Sequence, residues 1–310
     1  MLESNQNIIE YSYSDETGDG QATVYHLFPG IKASYISVHM ENFDFGSLDQ
    51  QKNNHYAAIH YCKEGRIEQE INNEFFYLMP GDCSISIQDC KCKMFQLPLK
   101  HYHGITIEID LTSLHNPLFS YLESCSCNPD EAMQHICGRT SHIILRSSEI
   151  AKKFFQELYE AVPAQRLDYL RAKMPELFYH LKHAKTDRNY YDRNLVPRTQ
   201  VDFVKKVSAY ITQNLNEKIT VKQLTLEFGV SDTYLQNAFR NIYGMPVISF
   251  IRAQKMQSAA QMLIHTSRTI DEIAEEFGYE NESKFSAAFK KIMGDPPGLY
   301  RKEHSKITII

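Results

Sequence analysis

The chain has 310 residues, of which 43% are hydrophobic and 23% charged, and its formal net charge is −5 at pH 7. This is the composition of a globular protein, and the length predicts two domains. No apolar run is long enough to span a bilayer, and the polar, acidic start of the chain lacks the basic end and apolar core of a secretory signal. We therefore expect a cytoplasmic protein with no membrane partner.

The seven cysteines form neither a disulfide framework nor a structural zinc motif. Their number is odd, and no Cys-x-x-Cys spacing occurs. The closest pairs, each separated by one residue, are Cys90/Cys92 and Cys125/Cys127. Disulfide scaffolds have an even number of cysteines, and zinc sites have well-spaced pairs. We expect reduced thiols, some of them buried, and no cofactor.

The charge is distributed unevenly along the chain. From Arg198 to the end there are 15 basic and 12 acidic residues, and before Arg198 there are 18 and 26. The net charge is therefore +3 in the last third of the chain and −8 in the remainder. This asymmetry is typical of a protein whose basic part binds a polyanion and whose acidic part does not.

The segment from about Ala22 to Asp110 has a β pattern. Short runs rich in Val, Ile, Tyr and Phe recur between turn signals such as Asn72-Asn73 and Pro80-Gly81-Asp82. These runs are Ala33–Met40, Tyr56–Cys62, Arg66–Ile71, Glu74–Met79, Ser84–Gln88 and Gly104–Ile109. Strands at this spacing predict a small barrel or sandwich.

After Ser147 the apolar residues recur every three or four positions, which predicts two amphipathic helices, antiparallel around Pro163. Pro175 should kink or break the second helix. Their apolar stripe, Ile150 to Leu181, could form a dimer or cover the barrel. We assign residues 1–182 to an α+β sensor or dimerisation domain, 183–198 to a polar linker and 199–310 to an all-α domain.

The all-α part contains an internal repeat, Ile219 to Pro246 and Thr269 to Pro296. Each copy has a capping box, Thr220 with Gln223 and Thr269 with Glu272. In each copy Phe-Gly follows the first helix, and a second helix begins after the N-cap residue, Ser231 or Asn281. Gly and Pro follow the second helix in both copies. Gly229 and Gly278 permit a left-handed turn. The repeat predicts two helix-turn-helix units.

A helix from about Val247 to His265 joins the two units. At about 1.5 Å per residue it is about 28 Å long. One turn of B-DNA is about 34 Å. A spacer of this length would allow two recognition helices to enter successive major grooves. A plain helical hairpin, packed for structure alone, explains one unit but not two copies on a common spacer.

The stretch from Ala260 to Arg301 resembles the AraC/XylS family of bacterial transcription regulators. The residues that carry the resemblance are Met262-Leu263, Ile270, Ile273-Ala274, Phe277-Gly278-Tyr279, Ser283, Phe285, Phe289-Lys290-Lys291, Gly294, Pro297 and Tyr300-Arg301. The resemblance extends from Val201 to Arg301 and implies a seven-helix domain with two helix-turn-helix units, promoter binding and activation through RNA polymerase. The sequence departs from the family pattern at Thr225, Lys255 and Ala287.

In the first recognition helix the helical period places Tyr234, Leu235, Ala238 and Phe239 in the core. The predicted DNA contacts are Ser231, Asp232, Thr233, Gln236, Asn237 and Arg240. Gln and Asn can bind adenine through two hydrogen bonds, and Arg can bind guanine or phosphate. Each of these side chains could instead be solvated surface.

In the second recognition helix the predicted DNA contacts are Asn281, Glu282, Ser283, Lys284, Lys290 and Lys291. Lysines favour phosphate, which adds affinity without base selection. Glu280 and Glu282 would repel phosphate. With Ala287 in place of the family's arginine, this helix is expected to hold the backbone more than to read bases.

In the first part of the chain, Gly65 and Pro80-Gly81-Asp82 resemble the cupin-like barrel of many family members. His101-Tyr102-His103 has the spacing of a metal-binding pair, but it follows the turn motif and His55 and His60 are unpaired. We therefore expect no metal and no catalytic residues.

The sequence predicts a homodimeric, effector-responsive activator, not an enzyme, whose barrel binds a small molecule and whose helices 148–182 form the dimer. One alternative is a regulator whose ligand-free first domain only dimerises or contacts a protein. A second alternative is a cupin-type enzyme fused to a DNA-binding tail.

Overall fold

The computed structural model describes residues 7–15, 17–40, 42–43, 56–71, 74–87, 95–112, 116–138, 142–184 and 196–304. The chain divides into two compact units, Met1–Val196 and Pro197–Ile310, here called the N-terminal and the C-terminal unit. None of the helices in the described ranges has both the length and the hydropathy that a bilayer crossing demands.

The N-terminal unit is built on two antiparallel sheets. The described strands are β1 Ile8–Asp15, β2 Gly18–Phe28, β3 Ile31–His39, β4 Asn42–Phe43, β5 Tyr56–Gly65, β6 Ile67–Ile71, β7 Glu74–Leu78, β8 Cys83–Ile87, β9 Phe95–Gln96, β10 Tyr102–Asp110 and β11 His142–Leu145. The larger sheet has seven strands in the order β1-β2-β3-β10-β5-β8-β11, and the smaller has four in the order β4-β9-β6-β7.

Both faces of β2, β3, β5 and β10 in the larger sheet are buried, because these strands carry apolar residues at odd and at even positions. On β2, Ala22 and Val24 belong to a core shared with β4, β6 and β7 of the smaller sheet. Tyr25 and Leu27 belong to a second core that helices cover. Side chains alternate between the faces of a strand, so an apolar run without a strict period of two is typical of a sheet between two layers.

The helices of this unit lie on the second face. They are α1 Pro117–Ser124, α2 Pro129–Cys137, α3 Glu149–Glu160 and α4 Arg166–Lys182, with a short 3-10 helix, Pro163–Gln165, between α3 and α4. The predicted apolar stripe of α3 and α4 packs into the same core as the sheet, except for its first residue, Ile150, which is more than half exposed. Of the two roles that the sequence left open for this stripe, the structure shows that it covers the sheet.

Two expectations for this unit need correction. Among the described strands the larger sheet ends at β1 and at β11, so no closed barrel is seen and the cupin-like barrel is not confirmed. Of the kink or break expected at Pro175, the break is absent, because helix α4 continues through this residue. Pro175 lies ten positions into the helix, and the neighbouring Met174 and Leu177 are buried in the core. Packing of this kind holds a helix together across one lost hydrogen bond.

The predicted strands are all present, with ends shifted by a few residues. The strands β1, β2, β4, β9 and β11 and the helices α1 and α2 have no counterpart among the predicted runs. Asn72-Asn73, His55, Cys90 and Cys92 lie outside the described residues, as does most of the predicted linker, residues 185–195. Four of the described cysteines, Cys62, Cys83, Cys127 and Cys137, are buried free thiols, as expected for small apolar side chains.

The C-terminal unit consists of seven helices between Arg198 and His304, a range that is described throughout. They are α5 Arg198–Gln213, α6 Val221–Phe228, α7 Asp232–Tyr243, α8 Val247–His265, α9 Ile270–Glu276, α10 Glu282–Met293 and α11 Pro297–His304. Val204, Val207 and Ile211 of α5 are buried, and so are Phe239 and Phe289, which occupy equivalent positions in the two copies of the repeat. The repeat therefore reflects two copies of one packing unit.

Candidate nucleic-acid interface

Local chemistry explains the first helix-turn-helix, α6 and α7. The side chain of Thr220 accepts a hydrogen bond from the backbone N–H of Gln223, and the Gln223 side chain accepts one from the N–H of Thr220, so the predicted capping box is present. Helix α6 ends at Gly229, whose φ of 64° is left-handed. Leu224 and Leu235 are both buried and fix the two helices against the rest of the unit.

Helix α7 presents an exposed polar face. Asp232, Thr233, Asn237 and Arg240 are all exposed. Asn237 and Arg240 lie one turn apart, and the Arg240 guanidinium donates to the Asn237 side-chain oxygen over 3.4 Å. This face therefore offers amide and guanidinium donors beside the hydroxyl group of Thr233. Groups of these kinds bind base edges and phosphates.

Gln236 does not share this free face. Its side-chain oxygen accepts a hydrogen bond from the backbone N–H of Val247, 3.3 Å away, at the start of α8. An N–H in the first turn of a helix has no partner within the helix, and Gln236 supplies one. Gln236 thus links α7 to the spacer helix, and its amide nitrogen is the group left for DNA.

Ser231 and Asn281 are the N-cap residues of α7 and α10, as predicted. The Ser231 hydroxyl accepts from the N–H of Tyr234 over 3.2 Å, and the Asn281 side chain accepts from the N–H of Lys284 over 2.9 Å. Both oxygens hold the helix start, and the Ser231 hydroxyl and the Asn281 amide group keep donors that could meet a phosphate. The helix ends that they cap are positions where backbone N–H groups favour phosphate.

Tyr234 is a surface residue, although the helical period placed it in the core. It is 40% exposed, and its ring packs on Phe203 of α5 with centroids 5.2 Å apart. A second residue that sequence reasoning missed is Asn241, which donates to the side chain of Gln200 over 3.1 Å. Both residues border the exposed face of α7. The helical period alone could not show whether these two residues belong to the core or to the surface, because each lies at the edge of the apolar stripe.

The second helix-turn-helix, α9 and α10, repeats this geometry with a different charge. Thr269 and Glu272 form the second predicted capping box, and Gly278 has a φ of 77°. The exposed residues of α10 include Glu282, Ser283, Lys284, Ala287, Lys290 and Lys291. Lys284 forms an ion pair with Glu280, and this hydrogen bond lowers the pKa of that carboxyl. Two of the predicted phosphate contacts, Lys290 and Lys291, remain together on the last turn.

The two helix-turn-helix units differ in charge balance. Residues 220–243 contain two basic and two acidic residues, whereas residues 269–293 contain three basic and six acidic residues. Asp271 and Glu272 lie in the first turn of α9. Negative charge at the start of a helix is unfavourable for an approaching phosphate group.

Lys255, at a position where the family usually has arginine, has a structural role. Its ammonium group donates to the carbonyl of Phe277 over 3.0 Å and to that of Glu217 over 3.3 Å. These contacts connect the spacer helix α8 to the turn of the second unit and to the loop before α6. Partial burial lowers the pKa of Lys255. Both of its acceptors are carbonyls, which a lysine satisfies as well as an arginine does.

Two capped helix pairs, each with a left-handed glycine between the helices and an exposed polar second helix, define a DNA-binding domain with two helix-turn-helix units. A family described as a helix-turn-helix domain matches residues 224–303. The chain is 38% identical over 99 residues to the F1 operon positive regulatory protein of Yersinia pestis, a match to 32% of this chain and 33% of that protein. It is 30% identical over 99 residues to the transposon Tn10 TetD protein of Escherichia coli, covering 32% of this chain and 72% of TetD.

A solved structure, the C-terminal domain of AraT from Geobacillus stearothermophilus, is 32% identical; the match covers 33% of this chain and 84% of that one, with a TM-score of 0.31. The chain belongs to the AraC/XylS family of transcription regulators. It spans a third of the length of the Yersinia relative. The family match, residues 224–303, lies in the C-terminal unit.

Proposed function

We propose that this protein binds promoter DNA sequence-specifically through its C-terminal unit and activates transcription. The observation that carries the proposal is the pair of helix-turn-helix units on α8, a spacer helix of 19 residues. The Yersinia pestis relative is named a positive regulatory protein, which supports activation, with RNA polymerase as a protein partner.

In this proposal the two units have unequal roles. Helix α7 reads base edges with Asn237 and Arg240, while Thr233 and the N-cap Ser231 hold phosphate at its start. Helix α10 holds the backbone with Lys290 and Lys291. The excess of carboxylates around α9 and α10 argues against deep entry of the second unit into a groove. The proposed DNA contacts on α10 therefore add affinity more than selectivity.

The test is selection of bound duplexes from a random pool by the full-length protein at two salt concentrations. We expect an enriched sequence with two elements about one helical turn, 10–10.5 base pairs, apart. Arg240→Ala should bind the selected duplex more weakly by about 1–3 kcal/mol and relax selection at one position. The matched control is Lys153→Ala, which removes one exposed positive charge from α3 of the N-terminal unit.

Equal binding to every sequence by the wild type, or the same loss from Lys153→Ala as from Arg240→Ala, would contradict the proposal. An absence of DNA binding at low salt would do so as well, because phosphate contacts are strongest there. In that case the N-terminal unit would be the place to look for an activity, which is the enzyme alternative.

For the N-terminal unit we propose effector binding, dimerisation or both. A dimer through helices 148–182 would have to use side chains outside the buried stripe, and Ile150, Val162 and Tyr179 are each more than half exposed there. Sedimentation of the wild type beside Ile150→Glu would test this contact. A regulator with a ligand-free first domain remains the alternative, and screening of small molecules for a change in operator affinity would separate the two.

A further inference from the structure

A row of titratable side chains crosses four neighbouring strands near one end of the seven-stranded sheet. In strand order it consists of Asp19 on β2, His39 on β3, His101 and His103 at the start of β10, and Glu64 on β5. The strand register places Asp19 opposite His39 and His103 opposite Glu64. Residues opposite or diagonal to each other on paired strands share a face. Three imidazoles between two carboxylates therefore meet on one surface.

The closest contact in this row joins two imidazole nitrogens. The Nε2 atoms of His39 and His103 are 3.1 Å apart, and the ring centroids are 5.0 Å apart with the planes at 82°. A zinc ion bound to nitrogen at about 2.0–2.1 Å holds two tetrahedral ligand atoms about 3.3 Å apart. The separation of these two Nε2 atoms thus fits two ligands of a single ion.

The remaining ring nitrogens are held in a way that suits metal binding. Nδ1 of His103 lies 3.4 Å from a carboxylate oxygen of Glu64. Nδ1 of His101 lies 3.0 Å from the carbonyl oxygen of Leu99, to which it can only donate. A proton on Nδ1 leaves the Nε2 lone pair free, and metal-binding histidines typically have this carboxylate or carbonyl partner.

We propose that His39 and His103 bind one divalent transition-metal ion of the zinc class through their Nε2 atoms, with His101 as a third ligand and Glu64 as a positioning residue for His103. Among the described residues no group of three such side chains already surrounds a metal-sized point. The His101 ring is stacked 6.2 Å from that of His39. His101 therefore joins only by a rotation of its side chain that gives up the contact with the Leu99 carbonyl, and water completes the coordination. Bound metal would tie β3 to β10.

This site differs from the pair that the spacing His101-Tyr102-His103 suggested. The decisive partner of His103 is His39, 64 positions earlier in the chain. Only the pairing of β3 with β10 brings the two together. The site lies in the N-terminal unit and does not depend on the proposed DNA binding.

The experiment titrates the full-length, reduced protein with Zn²⁺ by calorimetry in competition with a chelator, and with Mg²⁺ as the control ion. We expect one saturable Zn²⁺ site per chain and no Mg²⁺ binding, because Mg²⁺ prefers oxygen ligands. The double variant His39→Ala/His103→Ala should lose the site, and Glu64→Gln should weaken it about tenfold. The matched control is His135→Ala, which removes an exposed histidine of α2.

If the wild type binds no Zn²⁺, or if the double variant binds as the wild type does, the proposal is wrong. Retained binding in the double variant would locate the metal on cysteines, and the two histidines would then form a hydrogen-bonded pair only. Should the double variant fail to fold, His101→Ala and Glu64→Gln decide the question, since both side chains lie outside the apolar core. Unchanged affinity in both would overturn the site.

Discussion

His60 and His142 are neutral histidines buried within the larger sheet. Burial lowers the pKa of each to about 4, and Nδ1 of His60 shares a hydrogen bond of 3.0 Å with the Thr106 hydroxyl. In the unfolded chain both titrate near 6.5. The unfolded state therefore binds more protons than the native state between pH 6.5 and 4, and stability falls as pH falls through this window.

We predict that acidification to pH 5 lowers the free energy of unfolding of the N-terminal unit by about 2 kcal/mol for each of these histidines. His60→Gln should remove about half of this pH dependence. The measurement is urea unfolding at pH 7 and pH 5, and His135→Gln is the exposed control. Equal pH dependence in His60→Gln and the wild type would show that His60 does not carry the effect.

Substitution of two exposed side chains, Asn237 and Lys290, should distinguish recognition of bases from binding to phosphates. Asn237→Ala should reduce the ratio of specific to non-specific binding and leave the salt dependence unchanged. Lys290→Ala should weaken binding to all sequences and reduce the salt slope by about 0.9. Binding isotherms at several salt concentrations, on the selected and a scrambled duplex, measure both quantities. A change in selectivity from Lys290→Ala would mean that α10 reads bases.

At the scale of elements, the glycine between α6 and α7 determines the turn. A Cβ on Gly229 would meet no atom within 4 Å, so the cost of a substitution there comes from the backbone alone, at a φ of +64°. Gly298, in α11, has no positive φ, and a Cβ there would make an ordinary contact 3.7 Å from Ile270. The two positions differ in backbone conformation and not in crowding.

We predict that Gly229→Ala destabilises the C-terminal unit by about 1 kcal/mol, because the left-handed region is costly for a residue with a Cβ. Gly298→Ala should stabilise it by about 0.5 kcal/mol by restricting the unfolded chain. Thermal unfolding of both variants beside the wild type is the measurement. Asn tolerates the left-handed region, so Gly229→Asn should be milder than Gly229→Ala; equal losses would point away from backbone strain.

At the scale of the whole molecule, the two units have separate cores and their own titrating groups. His60 and His142 belong to the N-terminal unit, and the proposed DNA contacts belong to the C-terminal unit. We predict two calorimetric transitions. Acidification to pH 5 should lower the N-terminal one, and the selected duplex should raise the C-terminal one by mass action. A single transition that both treatments shift together would show that the units unfold as one.

The elements of the C-terminal unit follow from its sequence. Two capping boxes, two glycine turns and a stripe of buried residues with helical spacing are local signals, and local hydrogen bonds and sterics satisfy them. The same holds for α3, α4 and the strands with β-branched or aromatic runs. The edge strand β1, Ile8–Asp15, was missed because it lies in a starting segment whose overall composition is acidic and polar.

Tertiary contacts decided which residues from distant parts of the chain meet and which surfaces are buried. The sequence determined that two helix-turn-helix units exist and which residues cap them, because these depend on neighbours a few positions away. It could not show that Gln236 caps α8, that Tyr234 lies at the surface, or that His39 meets His103. It also left open whether the stripe of α3 and α4 forms a dimer or covers a sheet. These outcomes depend on which surfaces the fold brings within a few ångströms, and periodicity along one element contains no information about its partner.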